Sequence, residues 1–162
     1  MKKKPLSPER ALNRAAALCS RSEQAPHDIL TKLTGWGLDE RQAEQVVQCL
    51  TELHFLDEQR YANAFVHDKF RFNGWGRLKI AFMLRQKHIN PDIINEALAQ
   101  LTAQECQNQL LELLQAKKHT LTGKEPAAMR ASLLRFAALR GYEPDLCYAC
   151  VSRVIGNEES ED

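Results

Sequence analysis

One helical pattern occurs three times in this chain, and the repeat constrains the fold more than any other feature. The turn in the first copy contains Gly37, and the matching positions in the second and third copies are His88 and Gly141. The offsets are 51 residues from 37 to 88 and 53 residues from 88 to 141. Apolar residues flank this turn at helical spacing in every copy: Ile29, Leu33, Leu38, Ala43, Val46, Val47 and Leu50; Ile80, Leu84, Ile89, Ile94, Ala97, Leu98 and Leu101; Leu133, Ala137, Tyr142, Cys147, Cys150, Val151 and Val154. A fixed period of this size predicts a helical repeat protein, in which each unit buries an apolar face partly against its neighbours.

Helical periodicity continues along the chain, whereas sustained alternation of apolar and polar residues, the signal of a strand, is absent. The sequence therefore predicts an all-α fold of three tandem three-helix modules. Helix starts are marked by Ser7-Pro8, by Asn90-Pro91 and by the Asp39/Gln42 capping box. The predicted helices are about 8–20, 26–35, 39–53, 58–73, 77–87, 91–102, 104–118, 126–140 and 144–155. The predicted division is a basic tail at 1–7, modules at 8–56, 57–102 and 103–156, and an acidic tail at 157–162.

The cysteine content and the hydropathy pattern indicate a cytoplasmic location. The chain has five cysteines, and its basic beginning precedes an amphipathic segment, whereas a signal peptide has an apolar core there. An odd number of cysteines without an export signal favours a reducing compartment. No apolar run approaches the ~20 residues that a membrane-spanning helix requires.

No group of residues in the sequence has the spacing of a catalytic, metal or cofactor site. Cys147 and Cys150 form a C-x-x-C pair, but the repeat places both on the apolar stripe of their module, so we predict core cysteines. The stretch Thr122–Glu125 resembles the end of a phosphate loop without its upstream glycine or its strand. The five histidines, which are expected at the surface or at module boundaries, have no metal-ligand spacing. The chain is therefore expected not to be an enzyme and to need no cofactor or metal.

Positive charge and aromatic residues are concentrated between residues 60 and 90, which we call the basic segment. It carries seven Lys and Arg residues against Asp68, although the formal net charge of the whole chain is only +1, and six of the eleven aromatic residues. Residues 36–59, in contrast, carry six acidic residues against Arg41. Cations attract phosphates or an acidic protein surface, and a Trp in a glycine-rich loop can anchor a contact. The candidate contact residues are Lys69, Arg71, Trp75, Arg77, Lys79, Arg85 and Lys87.

Leu78 and Phe82 have two possible roles. They lie one turn apart on the predicted fifth helix, roughly opposite the stripe of Ile80 and Leu84. Because a central module has two neighbours, the favoured interpretation is core between modules, and the alternative is a contact with a partner.

The middle third of the chain resembles the RecX family of recombinase regulators. The resemblance is carried by residues 55–66 (FLDEQRYANAFV), 76–80 (GRLKI) and 84–89 (LRQKHI). The first module, with ALNRA at 11–15 and ILTKL at 29–33, is also similar to the opening of that family. His88 departs from the glycine that the family usually has at that turn.

The resemblance implies an elongated, curved, solenoid-like arrangement of three three-helix modules. It also implies a function: binding to RecA–DNA filaments and limiting filament extension, strand exchange and co-protease activity, and thereby modulating DNA repair and the SOS response. The resemblance implies the RecA filament as partner, and the basic face of the middle module is expected to bind single- and double-stranded DNA weakly. Because the repeat needs no partner to complete its core, the chain is expected to act as a monomer, and no membrane is expected as a partner. Two alternatives remain open, a sequence-nonspecific DNA-binding protein and a helical scaffold for another protein.

Overall fold

The computed structural model describes residues 4–159, with side chains from 4 to 156, and this part of the chain forms nine helices and no strand. The all-α class predicted from the repeat is confirmed, and each helix lies within about four residues of its predicted bounds. Residues 1–3 of the predicted basic tail and 160–162 of the predicted acidic tail lie outside the described residues. The helices are α1 (Pro8–Arg21), α2 (Pro26–Gly35), α3 (Glu40–Glu52), α4 (Glu58–Arg71), α5 (Arg77–Gln86), α6 (Pro91–Leu98), α7 (Ala103–His119), α8 (Pro126–Leu139) and α9 (Pro144–Glu159).

The three repeated turns have one backbone conformation. In each, an amide donates to the carbonyl oxygen five residues earlier: Leu38 to Leu33 at 3.2 Å, Ile89 to Leu84 at 3.2 Å, and Tyr142 to Ala137 at 3.3 Å. The residue before each donor has a left-handed backbone, with φ of 101° at Gly37, 59° at His88 and 91° at Gly141. This bond with a left-handed residue is the Schellman way of ending a helix, because it satisfies carbonyl groups that the last turn leaves free.

The predicted helix starts are also present. The Ser7 hydroxyl accepts from the Arg10 amide at 3.3 Å, and Asp39 and Gln42 exchange both bonds of a capping box. The Asn90 side chain accepts from the amide of Asp92 at 2.8 Å. These bonds fix where α1, α3 and α6 begin, and each satisfies an amide that lacks a partner within its helix.

The described chain divides into two compact units, and α4 and α5 each continue from one unit into the other. The first unit ends at Phe65 and also includes Leu84–Ala97. Its core is formed by α1, α2 and α3, where the small side chains of Ala11 and Ala15 allow close approach of the helices. The buried residues of this core are Ala11, Ala15, Ile29, Leu33, Leu38, Ala43, Val46, Leu50 and Leu56.

The second unit consists of Val66–Met83 together with the chain from Leu98 onwards. Its core lies among α7, α8 and α9. Most of its buried residues come from the third copy of the repeat: Leu110, Leu114, Leu121, Leu133, Ala137, Tyr142, Cys147, Cys150, Val151 and Val154. The three module boundaries given by the sequence stay a prediction.

Candidate nucleic-acid interface

The loop between α4 and α5 is fastened to the turn between α8 and α9 within the second unit. The amide of Gly76 donates to the carbonyl of Arg140 at 2.7 Å, and that of Leu78 donates to the carbonyl of Gly141 at 2.9 Å. In the other direction, the Arg140 guanidinium donates to the carbonyl of Asn73 at 2.7 Å, and the Tyr142 hydroxyl donates to that of Gly74 at 3.2 Å. Four hydrogen bonds therefore hold this glycine-rich loop in one conformation.

Two glycines allow this close approach of two backbones. A Cβ at Gly76 would collide with the backbone of Gly141, and a Cβ at Gly141 would collide with the backbone of Lys79. Because only glycine lacks this atom, the sequence at both positions is dictated by the contact. The loop therefore holds Trp75, which directly precedes Gly76, in a fixed position.

Trp75 lies with two of the predicted cations. The Lys69 Nζ is 5.1 Å and the Lys79 Nζ is 4.4 Å from the centroid of the Trp75 ring. The amide of Trp75 also donates to the carbonyl of Lys69 at 3.0 Å. Ammonium groups within about 6 Å of an indole are attracted by its ring quadrupole. The lysines are thus held in place beside the ring.

Two other predicted contact residues are engaged inside the protein. The Arg77 guanidinium donates to the carbonyl of Leu101, in the connection between α6 and α7. Lys87 donates to both carboxylate oxygens of Asp28, each at 3.0 Å, within the first unit. These side chains contribute to the fold, and a charge reversal at either would remove an internal bond.

The last two candidates, Arg71 and Arg85, are exposed, Arg71 in the second unit and Arg85 in the first. Neither makes an ion pair with another described residue. Of the six cations among the candidates, these two are exposed and the other four are half-buried. The sequence predicted the set by charge alone and could not separate structural cations from exposed ones.

Leu78 and Phe82 are 50% and 52% exposed. The favoured interpretation, core between modules, is therefore wrong, since a core residue would be almost fully removed from solvent. The role of Leu78 and Phe82 as a partner contact stays a prediction.

Sequence reasoning missed a pairing in the first unit between the start of α2 and the turn after α5. The rings of His27 and His88 stack with centroids 3.8 Å apart, next to the ion pair of Asp28 and Lys87. His27 and Asp28 of α2 thus contact His88 and Lys87, respectively, through a ring stack and an ion pair. Because the partners are about 60 residues apart in the chain, no local spacing signals them.

The cysteine prediction is confirmed. Cys147 and Cys150 are free thiols, 3% and 1% exposed, and burial raises the pKa of both, which disfavours the reactive thiolate. Among the described residues, no group of His, Cys, Asp and Glu has an arrangement that could hold a metal ion. None of the helices within 4–159 has both the length and the apolar character that crossing a bilayer requires.

Comparison with known proteins links the chain to one family. The family model described as "RecX, second three-helix domain" matches residues 57–98. The Regulatory protein RecX of Clostridium botulinum (strain Alaska E43 / Type E3) is 32% identical over 149 residues, which cover 90% of this chain and 69% of the relative. Regulatory protein RecX of Clostridium perfringens (strain SM101 / Type A) is 27% identical over 151 residues, covering 92% and 70%.

Comparison of structures agrees on the fold. The crystal structure of RecX from Lactobacillus salivarius superposes with a TM-score of 0.81 at 16% sequence identity, and the match covers 91% of this chain and 96% of that one. Identity at this level supports the fold alone. The sequence matches carry the family assignment, and on their strength this chain belongs to the RecX family of regulatory proteins.

Proposed function

We propose that this protein regulates RecA recombinase by binding RecA–DNA filaments and limiting their extension, strand exchange and co-protease activity. Through these steps it would modulate DNA repair and the SOS response. Membership of a family whose relatives are named regulatory proteins is the observation that carries the proposal. The predicted cytoplasmic location, the monomeric state and the absence of a catalytic role belong to the same proposal.

The basic segment supports a role in contact with DNA or with an acidic protein surface. Lys69 and Lys79 lie beside Trp75, and Arg71 and Arg85 are exposed cations that form no ion pair with the described residues. A cation that is already held in place loses little side-chain entropy when it meets an anion. DNA phosphates, which also release counterions on contact, would be attracted to these cations at low salt.

The experiment that tests the proposal is a measurement of ATP hydrolysis by RecA on single-stranded DNA. The protein is titrated from far below to equal molar ratio with RecA, at fixed DNA and salt concentration. We expect inhibition at amounts too small to coat the DNA, because a regulator that stops filament extension acts on few sites per filament.

Two other outcomes would reject this function. Inhibition only after the DNA is saturated would assign a sequence-nonspecific DNA-binding protein that competes with RecA for DNA. Such a protein with ~5 phosphate contacts would lose about two orders of magnitude of single-strand affinity between 50 and 200 mM salt. No inhibition together with no DNA binding would leave a helical scaffold for another protein.

A further inference from the structure

The first unit has a cleft of about 380 Å³ between the start of α2 and the middle of α3. Its apolar part consists of the half-buried Pro26, Leu30 and Val47. The stacked rings of His27 and His88 also line it, with 3.8 Å between the ring centroids and 6° between the ring planes. The volume lies within the roughly 300–1,000 Å³ of pockets that hold small molecules, which are mostly apolar with a few polar groups.

With histidine neutral, the charge of this lining is negative. Glu44 lines the cleft, no described Lys or Arg does, and Glu44 forms no ion pair with another described residue. Lys87, next to His88 in the chain, is already bonded to both carboxylate oxygens of Asp28, so its charge is matched there. A carboxylate without a partner attracts a cation and repels an anion.

The acceptors in the cleft are placed for a planar cation. Glu44 and Gln48 are four residues apart on α3, so their side chains lie on the same face of the helix. The Gln48 Nε2 donates to the Glu52 Oε1 at 3.2 Å, which leaves the side-chain oxygen of Gln48 as an acceptor. The two nitrogens of an amidinium or a guanidinium can donate to two neighbouring acceptors, whereas a tetrahedral ammonium lacks this planar fork.

The histidine pair favours a ligand with a ring. His88 is the exposed member of the pair and His27 the half-buried one, so the flat surface that the two imidazoles offer is partly open to solvent. An aromatic ring packs on such a surface and also contacts the apolar side chains beside it. Charge and shape therefore point to the same kind of ligand.

We propose that this cleft binds a small planar organic cation, an aromatic amidine or guanidine, with its charge at Glu44 and its ring against His88. A free small molecule is favoured over an arginine side chain of a protein. The reason is that Pro26, Leu30 and Val47 would contact a ring, which arginine lacks. The site requires neither RecA nor DNA, so the proposal does not depend on the function proposed above.

The test is a titration of the isotope-labelled chain with benzamidine, followed by the NMR shifts of its backbone amides. Benzamide, which has the same ring and nearly the same shape without the charge, is the matched ligand. We expect shift changes at residues that line the cleft, with affinities in the millimolar range that suits so small a ligand. Benzamidine should bind about fivefold more tightly than benzamide, which is the effect of one partly exposed ion pair.

Glu44→Gln removes the charge from the cleft. Its matched control is Glu96→Gln, which removes the same charge from an exposed position of the same unit outside the cleft. The first variant should lose about fivefold in affinity for benzamidine and almost nothing for benzamide, whereas the control should bind both ligands like the parent. Circular dichroism checks that both variants are folded.

His88→Gly removes the exposed ring. Its matched control is His54→Gly, because His54 has a similar φ, 64° against 59°, and does not line the cleft. We expect His88→Gly to weaken the binding of benzamidine and of benzamide alike, by about threefold, since both ligands carry the ring. The control should bind both like the parent.

Three results would overturn the proposal. One is equal affinity of the parent for benzamidine and benzamide, and another is an equal change in Glu44→Gln and Glu96→Gln. The third is a set of shift changes confined to residues outside the cleft. Tighter binding of N-acetylarginine methylamide than of benzamidine would overturn the aromatic ligand and assign the cleft to an arginine of a partner protein.

Discussion

The first and third copies of the repeated turn have the same backbone conformation, but a different segment of the chain packs against each of them. The segment just before α1 packs against the turn at Gly37, where the amide of Leu6 donates to the carbonyl of Trp36 at 3.0 Å. A Cβ at Gly37 would collide with Pro5, just as one at Gly141 would collide with Lys79. The repeat therefore predicts a turn that accepts another backbone, while residues outside the repeat decide which backbone docks there.

The middle copy explains when glycine is needed. At His88 the turn has the same left-handed backbone, but its partner is the ring of His27, which stacks on the His88 ring. Histidine tolerates a positive φ better than most residues with a side chain. Glycine is thus required where a backbone approaches the turn, and histidine serves where a side chain does.

The largest effect is expected from Gly141→Ala. The new Cβ would meet the backbone of Lys79, and the φ of 91° would be strained for any residue with a side chain. We expect a loss of about 3 kcal/mol in the free energy of unfolding, combining overpacking with the left-handed penalty. Chemical denaturation followed by circular dichroism measures it.

Gly123→Ala is the control for this substitution. Gly123 has a similar φ of 87°, but beyond its two chain neighbours no atom lies within 4 Å of the position that its Cβ would take. The alanine there should cost only about 1 kcal/mol, from backbone conformation alone. If both substitutions cost the same, the close approach at Gly141 does not contribute to stability.

Tyr142→Phe comes next in size. It removes the hydroxyl that donates to the Gly74 carbonyl in a buried site, so about 1–2 kcal/mol of stability should be lost at neutral pH. The exposed Tyr148→Phe should cost almost nothing. An equal cost for the two would show that the bond to the loop contributes no stability.

Tyr142 should also make the stability of the fold depend on pH in the alkaline range. Burial raises the pKa of Tyr142 in the folded protein above its ordinary value of 10. The stability that the fold gains from keeping this hydroxyl protonated is therefore fully present below pH 10, and it is lost as the pH rises through the pKa of the folded state. While only the unfolded chain ionises, this one group lowers stability by about 1.4 kcal/mol per pH unit. Between pH 9 and about 11, the free energy of unfolding should fall less steeply with pH in Tyr142→Phe than in the parent. An equally steep fall in both would contradict this assignment.

The smallest effects are expected at the two histidines with positive φ. His54, with φ of 64°, is exposed and makes no ring contact with the described residues, so His54→Gly should raise stability by about 0.5–1 kcal/mol through relief of strain. In His88→Gly the relief is offset by loss of the stack on His27, so we expect almost no net change. A similar gain in both variants, measured by thermal unfolding, would mean that the stack contributes nothing.

Much of the fold could be predicted from the sequence, because helix caps and apolar spacing are local signals. The N-caps at Ser7 and Asp39 and the turns at Gly37, His88 and Gly141 were all predicted from neighbouring residues. The exposure of Leu78 and Phe82 was not predicted, because the spacing of an apolar pair on a helix does not reveal whether another segment covers it.

For the candidate site, the sequence predicted only a segment that is rich in basic and aromatic residues. Local charge identified the basic segment, but the bond from Arg77 to Leu101 and the ion pair of Lys87 with Asp28 join residues far apart in the chain.

The central claim is that the exposed cations of the basic segment serve in regulation of RecA. The most direct measurement is the titration of RecA ATP hydrolysis on single-stranded DNA with a variant that carries Arg71→Glu and Arg85→Glu. These positions are exposed and lack ion pairs with the described residues, so the fold should be unaffected. The matched control carries Arg41→Glu and Arg130→Glu, also exposed and also one in each unit.

We expect the Arg71 and Arg85 variant to require about tenfold more protein for half inhibition, while the control inhibits like the parent. Inhibition by that variant at the same substoichiometric amounts as the parent, with an unchanged circular dichroism spectrum, would contradict the claim.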